Sequence, residues 1–373
     1  MKARAEKIPV GVLGATGAVG QRLVRMLADH PWFALRALAA SDRSAGRPYA
    51  EATRWYLDEP LPDAARDLPV VPCEPAAMDV ELVFSGLDAG VAGEIEERFA
   101  EAGMDVLTNA RNHRMDADVP LIIPEVNADH LDLVDVQRAR RGWTGSIVAN
   151  ANCSTIGLAL ALRPLQLTFG IQGVTVATLQ ALSGAGYPGV ASLDVTDNVI
   201  PFVGGEEEKI QSETLKILGR LSGEAVEPES FPVSALVHRV PVRDGHLLAI
   251  SVKLAERASP EDAVRAFEEF RGPEPVPGLP TSPARPIVVR SEPDRPQPRR
   301  DRMEGEGMSV VVGRVRPCPV LDLKFSALVH NTIRGAAGAA IQNAELLVAV
   351  RSGIQRSTVS LTTQGRAAPS AGP

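Results

Sequence analysis

Short apolar runs alternate with amphipathic stretches between residues 8 and 150. The first run, IPVGVL, predicts a buried strand, and the following QRLVRMLADH places Leu23, Met26 and Leu27 on one helical face. Four later runs have the length and composition of strands: FALRALAAS, DVELVFSGL, GMDVLTNA and SIVAN. Strands that alternate with helices in this way predict an α/β fold with a doubly wound parallel sheet of the Rossmann type.

The pattern changes after residue 152, where longer alternating runs begin. IQGVTVATLQALSG and SALVHRVPVRDGHLLAISVKL have the period of two that is typical of strands, and Asp244-Gly245 predicts a tight turn within the second run. These runs predict an α+β domain with a more antiparallel sheet. The proline-rich segment 272–302 is either a flexible linker, as its composition indicates, or partly ordered, because PIVVR within it resembles a strand.

Length and charge narrow the classes of protein. The chain has 373 residues, more than one hydrophobic core usually serves, so we expect two domains. Its net charge of −7 argues against a nucleic-acid partner or an anionic membrane surface, because both need a basic patch. No uninterrupted apolar run reaches the ~20 residues that span a bilayer, so we expect no membrane association.

The cysteines indicate a reducing environment. Cys73, Cys153 and Cys318 are too few and too unevenly placed for a disulfide framework, and no pair has the spacing of metal ligands. The basic start of the chain is interrupted by Glu6 and is not followed by the apolar core of a signal peptide. We therefore predict a cytoplasmic protein without a bound metal.

A glycine-rich turn lies between the first predicted strand and the first predicted helix. Its spacing, G-x-x-G-x-x-G, is a variant of the dinucleotide-binding pattern, in which glycines let the backbone approach a pyrophosphate at a helix N-terminus. Glycines also form plain turns, but the strand–turn–helix context favours dinucleotide binding. The contacts predicted from this turn are Gly14, Thr16, Gly17, Ala18 and Val19.

The end of the second predicted strand bears on which dinucleotide is bound. Asp42 could accept a hydrogen bond from the ribose 2′-hydroxyl of NAD, whereas Ser41, Arg43 and Ser44 together could hold the 2′-phosphate of NADP. We favour NADP(H), with a solvated polar turn as the alternative. We also expect Ser85, at the end of the DVELVFSGL strand, to contact the cofactor.

The candidate nucleophile lies in ANANCSTIG, residues 149–157. The strand SIVAN precedes Cys153 and the helix pattern STIGLALALRPL follows it, with Asn152 or Ser154 as the cap. A thiol at a helix N-terminus is expected to have a lowered pKa, and the N–H groups there could stabilise an oxyanion. A free cysteine is more often a buried apolar residue, but this context favours a nucleophile that forms a thioester in aldehyde chemistry.

Five motifs occur in order along most of the chain: GATGAVG, ANANCSTIG, QALSGAGYPG, RVPVRDGH and HNTIRGAAG. Their order and spacing, from about residue 8 to residue 350, resemble the aspartate-β-semialdehyde dehydrogenase family, in the branch found in archaea and fungi. The resemblance implies NADPH-dependent reductive dephosphorylation of L-aspartyl-4-phosphate to the semialdehyde, a step of lysine, threonine and methionine biosynthesis. It also implies a homodimer or homotetramer.

The resemblance further implies a division of the chain. Residues 1–152 would form an NADP-binding Rossmann domain that is completed by a C-terminal helix at 331–352. Residues 153–330 would form a catalytic and dimerisation domain. The segment 353–373 has no core pattern and is predicted to be disordered.

Residue by residue, the resemblance assigns chemistry to the motifs. Cys153 is the nucleophile, His246 the acid/base group and Gln180 a neighbour of the thioester. The implied substrate contacts are Arg239 for the carboxylate, Arg114 and Lys209 for the phosphate, Glu206 for the amine, and Asn152 beside the nucleophile. The implied further cofactor contacts are Ser183, Gly184, Asn331 and Gly335. Without the family, Glu206 and Lys209 would be interpreted as an ordinary pair on a helix surface.

Two positions depart from the family pattern. His238, next to Arg239, competes with His246 for the acid/base role, but neighbours in a strand face opposite sides, so we favour His246. Ala151 stands where proline is common, which alters the stiffness of the turn and removes no chemistry.

Two other functions stay open at this point. Malonyl-CoA reductase resembles the same branch and uses the same cysteine chemistry on a CoA thioester, although Arg114 and Arg239 favour the aspartyl substrate. A non-catalytic, dinucleotide-binding regulatory protein would have been favoured by loss of the cysteine or the histidine, and both are present.

Overall fold

A computed structural model describes residues 6–353 of the chain, so the tail prediction for 353–373 lies outside the described residues except for Gly353. The first half folds around a parallel sheet. Its strands are β1 (Ile8–Leu13), β2 (Phe33–Ala40), β3 (Val70–Pro72), β4 (Leu82–Ser85), β5 (Asp105–Thr108), β6 (Leu121–Ile122) and β7 (Ser146–Asn150). Its helices are α1 (Ala18–Leu27), α2 (Tyr49–Ala52), α3 (Asp63–Arg66), α4 (Ala89–Glu101), α5 (Pro124–Asn127) and α6 (Leu133–Arg141).

The strand order β3-β2-β1-β4-β5-β7-β6 is that of a doubly wound sheet, and every neighbouring pair is parallel. The central strands β4, β5 and β7 are buried along their whole length, as expected for strands that are covered on both faces. The chain direction across the sheet reverses between β1 and β4, and ligands of such sheets bind outside the carboxyl ends of the strands at that point. The turn after β1 therefore lies where a dinucleotide is expected.

The second half contains a mixed sheet. Its elements are α7 (Cys153–Phe169), β8 (Ile171–Gln180), α8 (Ser192–Val195), α9 (Glu206–Leu218), β9 (Arg220–Ser222), β10 (Ala225–Glu227), β11 (Val233–Arg239), β12 (His246–Leu254), α10 (Pro260–Glu269), β13 (Ile287–Arg290), α11 (Pro298–Asp301), β14 (Val310–Pro317) and β15 (Leu323–Val329). The strand order is β11-β8-β12-β15-β14-β13, while β9 and β10 form a separate hairpin. The inner face packs against α7 and α10, and these two layers form the core of this half. The predicted fold class, a Rossmann-type sheet plus an α+β domain, is confirmed.

Two details of this sheet differ from what the sequence pattern indicated. The Asp244-Gly245 turn is present, with Gly245 at φ 102°, but it does not close a hairpin, because β8 lies between β11 and β12. The proline-rich segment is ordered, not a flexible linker. Its strand β13 pairs in parallel with β14, and the buried carboxylate of Asp301 binds Arg290 and Arg295.

The C-terminal segment returns to the first sheet. After β15 the chain forms a π-helical turn, Ile333–Ala337, and then α12 (Gly338–Arg351). Helix α12 is buried almost throughout and contacts α1, β5 and β7. This return places residues 331–337 beside the start of α7. Within residues 6–353, no helix combines the length and the apolar character needed to cross a membrane.

Candidate active site

The sulfur of Cys153 lies at the boundary between the two sheets. Strand β7 ends at Asn150, and Cys153 is the first residue of α7, which is capped by Asn152. The Asn152 side chain accepts hydrogen bonds from the N–H groups of Ser154 and Thr155 at 2.9 and 3.3 Å. The Sγ atom of Cys153 is 3.2 Å from Nε2 of His246. The structure therefore brings together the predicted nucleophile and the predicted acid/base group.

His246 is the first residue of β12, and hydrogen bonds hold both its ring and the backbone just before it. The N–H of Ala181 donates to its Nδ1 at 3.0 Å, and the preceding N–H, that of Gly245, donates to Oδ1 of Asn331 at 2.9 Å. Because Nδ1 accepts a hydrogen bond, the neutral ring must carry its proton on Nε2. His246 therefore directs an N–H group at the sulfur. His238 lies on the other face of β11 and contacts the carbonyl oxygen of Thr178 instead.

Burial sets the protonation states of the pair. Burial and, to a smaller extent, the Glu206 carboxylate raise the pKa of the Cys153 thiol to about 12, against the opposing effects of Arg114 and Arg239. Burial, with Arg239 and His330 nearby, lowers the pKa of His246 to about 3. In the free protein both groups are thus neutral. The expectation that the helix start lowers the thiol pKa is wrong for this state, because desolvation outweighs the dipole.

We expect the alkylation of Cys153 in the free protein to accelerate steadily with pH. The thiol is uncharged below a raised pKa, so its thiolate fraction should increase about tenfold per pH unit between pH 7 and 10. Iodoacetamide labelling followed by peptide mass spectrometry would measure this rate. Cys318, whose pKa is lowered by the N–H of Leu321, supplies an internal reference that should react earlier. A rate for Cys153 that is constant above pH 7 would show that the thiol is already ionised there, and it would contradict the raised pKa.

Fewer N–H groups are free at the start of α7 than the sequence suggests. Those of Ser154 and Thr155 bind the Asn152 side chain, and that of Ile156 binds the Asn152 carbonyl oxygen. Among residues 153–156, all of which the structure describes, Cys153 is the one whose backbone N–H has no hydrogen-bond partner within the chain. An oxyanion on a bound acyl group would therefore need this N–H together with a side-chain donor.

Arg239, the residue predicted to bind the substrate carboxylate, lies beside the Cys153–His246 pair. Arg239, the last residue of β11, is buried and donates from Nη1 to the carbonyl oxygen of Ala181 at 2.6 Å. A Cβ atom added to Gly184 would come within 2.9 Å of both the Arg239 guanidinium and the His246 ring. Gly184 therefore lies against Arg239 and His246, and there is no space for a side chain at position 184.

Glu206 is buried and accepts hydrogen bonds from two of the other predicted substrate residues. Lys209 donates to its Oε1 and the Asn152 amide to its Oε2, both at 2.7 Å, and the amide of Gln180 is 3.4 Å from Oε2. The interpretation of Glu206 and Lys209 as an exposed helix pair does not apply, because Glu206 is buried. Hydrogen bonds from Lys209, Asn152 and Gln180 lower the pKa of Glu206 against the effect of burial, so it stays an anion that suits an ammonium group.

Arg114 is buried in the loop after β5. Its Nη1 donates to Oε1 of Glu213 at 2.9 Å, and its Nη2 donates to the carbonyl oxygen of Asn109 at 2.8 Å. The Nε–H of Arg114 is buried without a partner. A buried guanidinium that keeps an unpaired donor is suited to binding an anion. Glu213, which sequence reasoning missed, binds both Arg114 and the N–H of Asn152.

The turn after β1 has the shape that a pyrophosphate needs. Gly14 has φ 69°, and a Cβ atom there would lie 2.9 Å from the carbonyl oxygen of Gly86. A Cβ atom on Gly20 would come within 2.1 Å of the Gly14 carbonyl oxygen, so the turn and helix α1 pack backbone to backbone. The first turn of α1, which includes Ala18 and Val19, contains no acidic side chain. These features fit a dinucleotide phosphate at the helix start.

The remaining predicted cofactor residues fall into separate groups. Ser41, Arg43 and Ser44 lie at an open turn after β2, where Arg43 is exposed. Ser85 is fully buried and its hydroxyl donates to Glu96 at 2.6 Å, so its side chain is not free for a cofactor.

Two predicted cofactor residues, Asn331 and Gly335, lie beside the Cys153–His246 pair. Asn331 donates to the Ser183 hydroxyl at 2.8 Å and accepts from Gly245, and so it links the loop after β8 to the His246 turn. A Cβ atom on Gly335 would lie 2.6 Å from that of Cys153. The π-helical turn that contains Gly335 therefore packs directly on Cys153, and such helix irregularities are common in functional sites.

Comparisons with known proteins give a consistent result. A family model described as "Semialdehyde dehydrogenase, NAD binding domain" matches residues 9–134, and one described as "Semialdehyde dehydrogenase, dimerisation domain" matches residues 162–334. The chain is 53% identical over 339 residues to aspartate-semialdehyde dehydrogenase from Archaeoglobus fulgidus, covering 91% of this chain and 97% of that protein. It is 50% identical to the Cryptococcus neoformans protein of the same name, covering 92% and 97%.

A solved structure is similar over nearly the whole chain. It is that of aspartate semialdehyde dehydrogenase with NADP from Candida albicans, with a TM-score of 0.86 and 44% sequence identity, covering 93% of this chain and 99% of that one. The corresponding Vibrio cholerae enzyme II, complexed with ASA, has a TM-score of 0.73 and 27% identity, covering 92% and 99%.

Proposed function

Because the chain belongs to the aspartate-semialdehyde dehydrogenase family, we propose that it is an NADP-dependent oxidoreductase that converts L-aspartyl-4-phosphate to L-aspartate-4-semialdehyde. The observation that carries the proposal is the Cys153–His246 pair at 3.2 Å, with the buried Arg239 and Arg114 near the sulfur. This arrangement suits an acyl phosphate that also bears a carboxylate. By implication the step belongs to lysine, threonine and methionine biosynthesis.

In the proposed acylation, Cys153 attacks the acyl carbon of the substrate. A sulfur–carbon bond forms, the carbon–oxygen bond to phosphate breaks, and the thiol proton leaves with the phosphate as HPO₄²⁻. Arg239 orients the substrate carboxylate, and Arg114 with Lys209 binds the phosphate. In this proposal the N–H of Cys153 and the amide of Gln180, which is 3.4 Å from Oε2 of Glu206 before substrate binds, donate to the oxyanion.

In the proposed reduction, NADPH supplies a hydride to the thioester carbon, and the carbon–sulfur bond then breaks to give the aldehyde. The departing sulfur is an anion in a buried site, and the Nε2–H of His246 at 3.2 Å can donate to it. The contact between Ala181 N–H and Nδ1 keeps the proton on Nε2, so we propose that His246 acts as a donor and not as a base toward the thiol. His246 keeps this proton and stabilises the departing thiolate by a hydrogen bond, and the thiolate then takes its own proton from solvent.

The cofactor would bind between the turn after β1 and the Cys153–His246 pair. We propose that residues 1–152 with 331–352 form the NADP-binding domain and that residues 153–330 form the catalytic domain. Contacts of α12 with β5 and β7, and the glycine cradle at Gly14 and Gly20, support this division. Ser183, Asn331 and Gly335 lie beside the catalytic pair, which suits contacts with the nicotinamide end of the cofactor.

Arg43 tests the cofactor assignment. We expect Arg43→Ala to raise the KM for NADPH about tenfold or more, because a charge-assisted contact with the 2′-phosphate is lost. The KM for NADH, which has no such phosphate, should stay within about twofold of the wild-type value. Steady-state kinetics with both cofactors measure this. An equal rise for both would mean that Arg43 does not recognise the 2′-phosphate.

We propose that the protein is a homodimer formed through the outer face of the second sheet. This face carries small and apolar side chains in register on β11, β8 and β12, among them Leu236, Ala177 and Ala249. Leu236 is 60% exposed in the single chain. The match of residues 162–334 to a dimerisation domain supports a second copy of this chain as the occupant.

Leu236→Glu should therefore shift the protein toward monomer. A carboxylate on each side of an isologous interface would be buried against its symmetry mate, at a cost of several kcal/mol. Light scattering coupled to size-exclusion chromatography would give the mass of both proteins. A variant that keeps the wild-type mass at micromolar concentration would place the interface elsewhere.

The substrate is decided by a two-arm assay. One arm combines aspartate semialdehyde, phosphate and NADP, and the other combines malonyl-CoA and NADPH. The proposal predicts phosphate-dependent formation of NADPH in the first arm. A rate in the second arm that exceeds the first would identify a malonyl-CoA reductase. The names of the relatives favour the aspartyl substrate.

A further inference from the structure

Glu213 is a buried carboxylate outside the set of residues that the proposed mechanism uses. It lies on α9, two turns after Glu206, and is 2% exposed. Its two oxygens bind two different parts of the site. Oε1 accepts from Nη1 of Arg114 at 2.9 Å, and Oε2 accepts from the backbone N–H of Asn152 at 2.6 Å.

The first contact holds the phosphate-binding arginine. Arg114 is buried, and Glu213 is the carboxylate with which it forms an ion pair. Removing one partner of a buried pair leaves an uncompensated charge, which the chain relieves by moving the other partner toward water. The position of the Arg114 guanidinium therefore depends on Glu213.

The second contact holds the start of the nucleophile helix. The Asn152 N–H is the last backbone donor before Cys153, and the Asn152 side chain caps α7 through Ser154 and Thr155. The Asn152 amide is fixed from the same helix, by Glu206 at 2.7 Å. A shift at Asn152 would therefore move Cys153 with it.

We propose that Glu213 is a positioning residue that fixes the distance between the phosphate-binding Arg114 and the nucleophile Cys153. Its carboxylate binds Arg114 through one oxygen and the N–H of Asn152 through the other. Glu213 therefore acts on the substrate and on the sulfur through these two residues. An acyl phosphate must present its acyl carbon to the sulfur while its phosphate is bound, so this distance decides whether attack is possible. The proposal rests on the proposed function for its phosphate half and is independent of it for its cysteine half.

Lys216, one turn further along α9, provides a matched comparison. Its buried ammonium group donates to the carbonyl oxygens of Arg114, Asp116 and Val119 at 2.8, 2.8 and 3.1 Å. It thus holds the same loop as Glu213 but has no recorded contact with Asn152. Lys216→Met should loosen the Arg114 loop and leave the start of α7 in place. Glu208 lies on the exposed side of the same helix. The variant Glu208→Gln therefore serves as the control that removes a carboxylate from α9 without changing a buried contact.

The test measures two quantities for each variant: the KM for phosphate with semialdehyde and NADP, and the rate of Cys153 alkylation by iodoacetamide. We expect Glu213→Ala to raise the phosphate KM about tenfold or more. It should also change the alkylation rate about threefold or more, because a shift of Cys153 alters the burial that sets the pKa of its thiol. Lys216→Met should raise the phosphate KM and keep the alkylation rate within about twofold of wild type, and Glu208→Gln should change neither.

Glu213→Asp keeps the charge on a shorter side chain and should recover part of both effects; it replaces Glu213→Ala if that variant does not fold. A variant at 213 with a lower melting temperature but wild-type phosphate KM and alkylation rate would show a purely structural role and overturn the proposal. An equal change in the alkylation rate of Lys216→Met would also overturn it, because the effect would then come from the loop. If the wild-type protein shows no phosphate-dependent reaction, the proposed function fails, while the alkylation comparison still tests the contact with Asn152.

Discussion

Cys153→Ser should lower the rate of semialdehyde oxidation by on the order of 10³-fold or more and leave NADPH binding intact. A serine hydroxyl in this buried site would have to lose its proton without a base, because the Nδ1–Ala181 contact places a proton on the Nε2 that faces it. A stable thioester could not form. The glycine turn at 14–20, which is expected to hold the cofactor phosphates, joins β1 to the start of α1 and is remote in sequence from this side chain.

The matched control for this variant is Cys318→Ser. Cys318 follows β14 and its sulfur accepts from the N–H of Leu321, so it is outside the site. Its replacement should leave kcat and KM near wild-type values. NADPH binding, followed by fluorescence titration, should give the same Kd for both variants and the wild-type protein. Near-normal turnover by Cys153→Ser would remove the nucleophile from this account.

His246→Ala should lower kcat by about 10²- to 10³-fold, the usual range for loss of one donor to a developing anion. The ring supplies the N–H that faces the sulfur at 3.2 Å, and the departing thiolate would lose this donor in an environment where burial already opposes a charge. The effect should fall on kcat and leave the phosphate KM close to that of wild type. This split is expected because Arg114 and Arg239, which we propose bind the substrate, are unchanged in this variant.

His238→Ala is the informative comparison, because His238 is the rival on sequence grounds. Its side chain lies on the opposite face of β11 and contacts the Thr178 carbonyl oxygen. We expect it to keep at least about half of the wild-type kcat. A larger loss in His238→Ala than in His246→Ala would reverse the assignment.

Local patterns predicted the elements around the nucleophile well. SIVAN is β7 residue for residue, and the helix begins one position earlier than its apolar pattern, at Cys153 itself. This boundary could be predicted because Asn152 is a strong cap and the apolar repeat follows at once. The family resemblance drawn from the five motifs is confirmed by relatives that are about half identical in sequence.

The electrostatics of the site could not be read from those patterns. A helix start predicts a stabilised thiolate, but the pKa of Cys153 is raised because α7 begins inside the protein and the Glu206 carboxylate lies nearby. Likewise the helix start suggested several free N–H groups, and Asn152 uses two of them as a cap. The raised pKa depends on packing between distant segments, which local sequence does not encode, whereas the loss of free N–H groups follows from the local cap at Asn152.

Glu213 illustrates the same limit. In GEEEKIQSETLKIL it looks like one more acidic residue on a polar helix, and its partners Arg114 and Asn152 are 99 and 61 positions away. The order of the segment 272–302 could not be predicted for a related reason. Proline-rich composition suggests a linker, whereas the pairing of β13 with β14 and the ion pairs of Asp301 are long-range features.

The most direct test of the central claim is to look for an acyl group on Cys153. Mixing the protein with aspartate semialdehyde and NADP in the absence of phosphate should give a burst of one NADPH per active site, with an aspartyl adduct on the peptide that contains Cys153. Added phosphate should discharge the adduct. No burst, or an adduct on Cys73 or Cys318 instead, would contradict catalysis through a thioester at this cysteine.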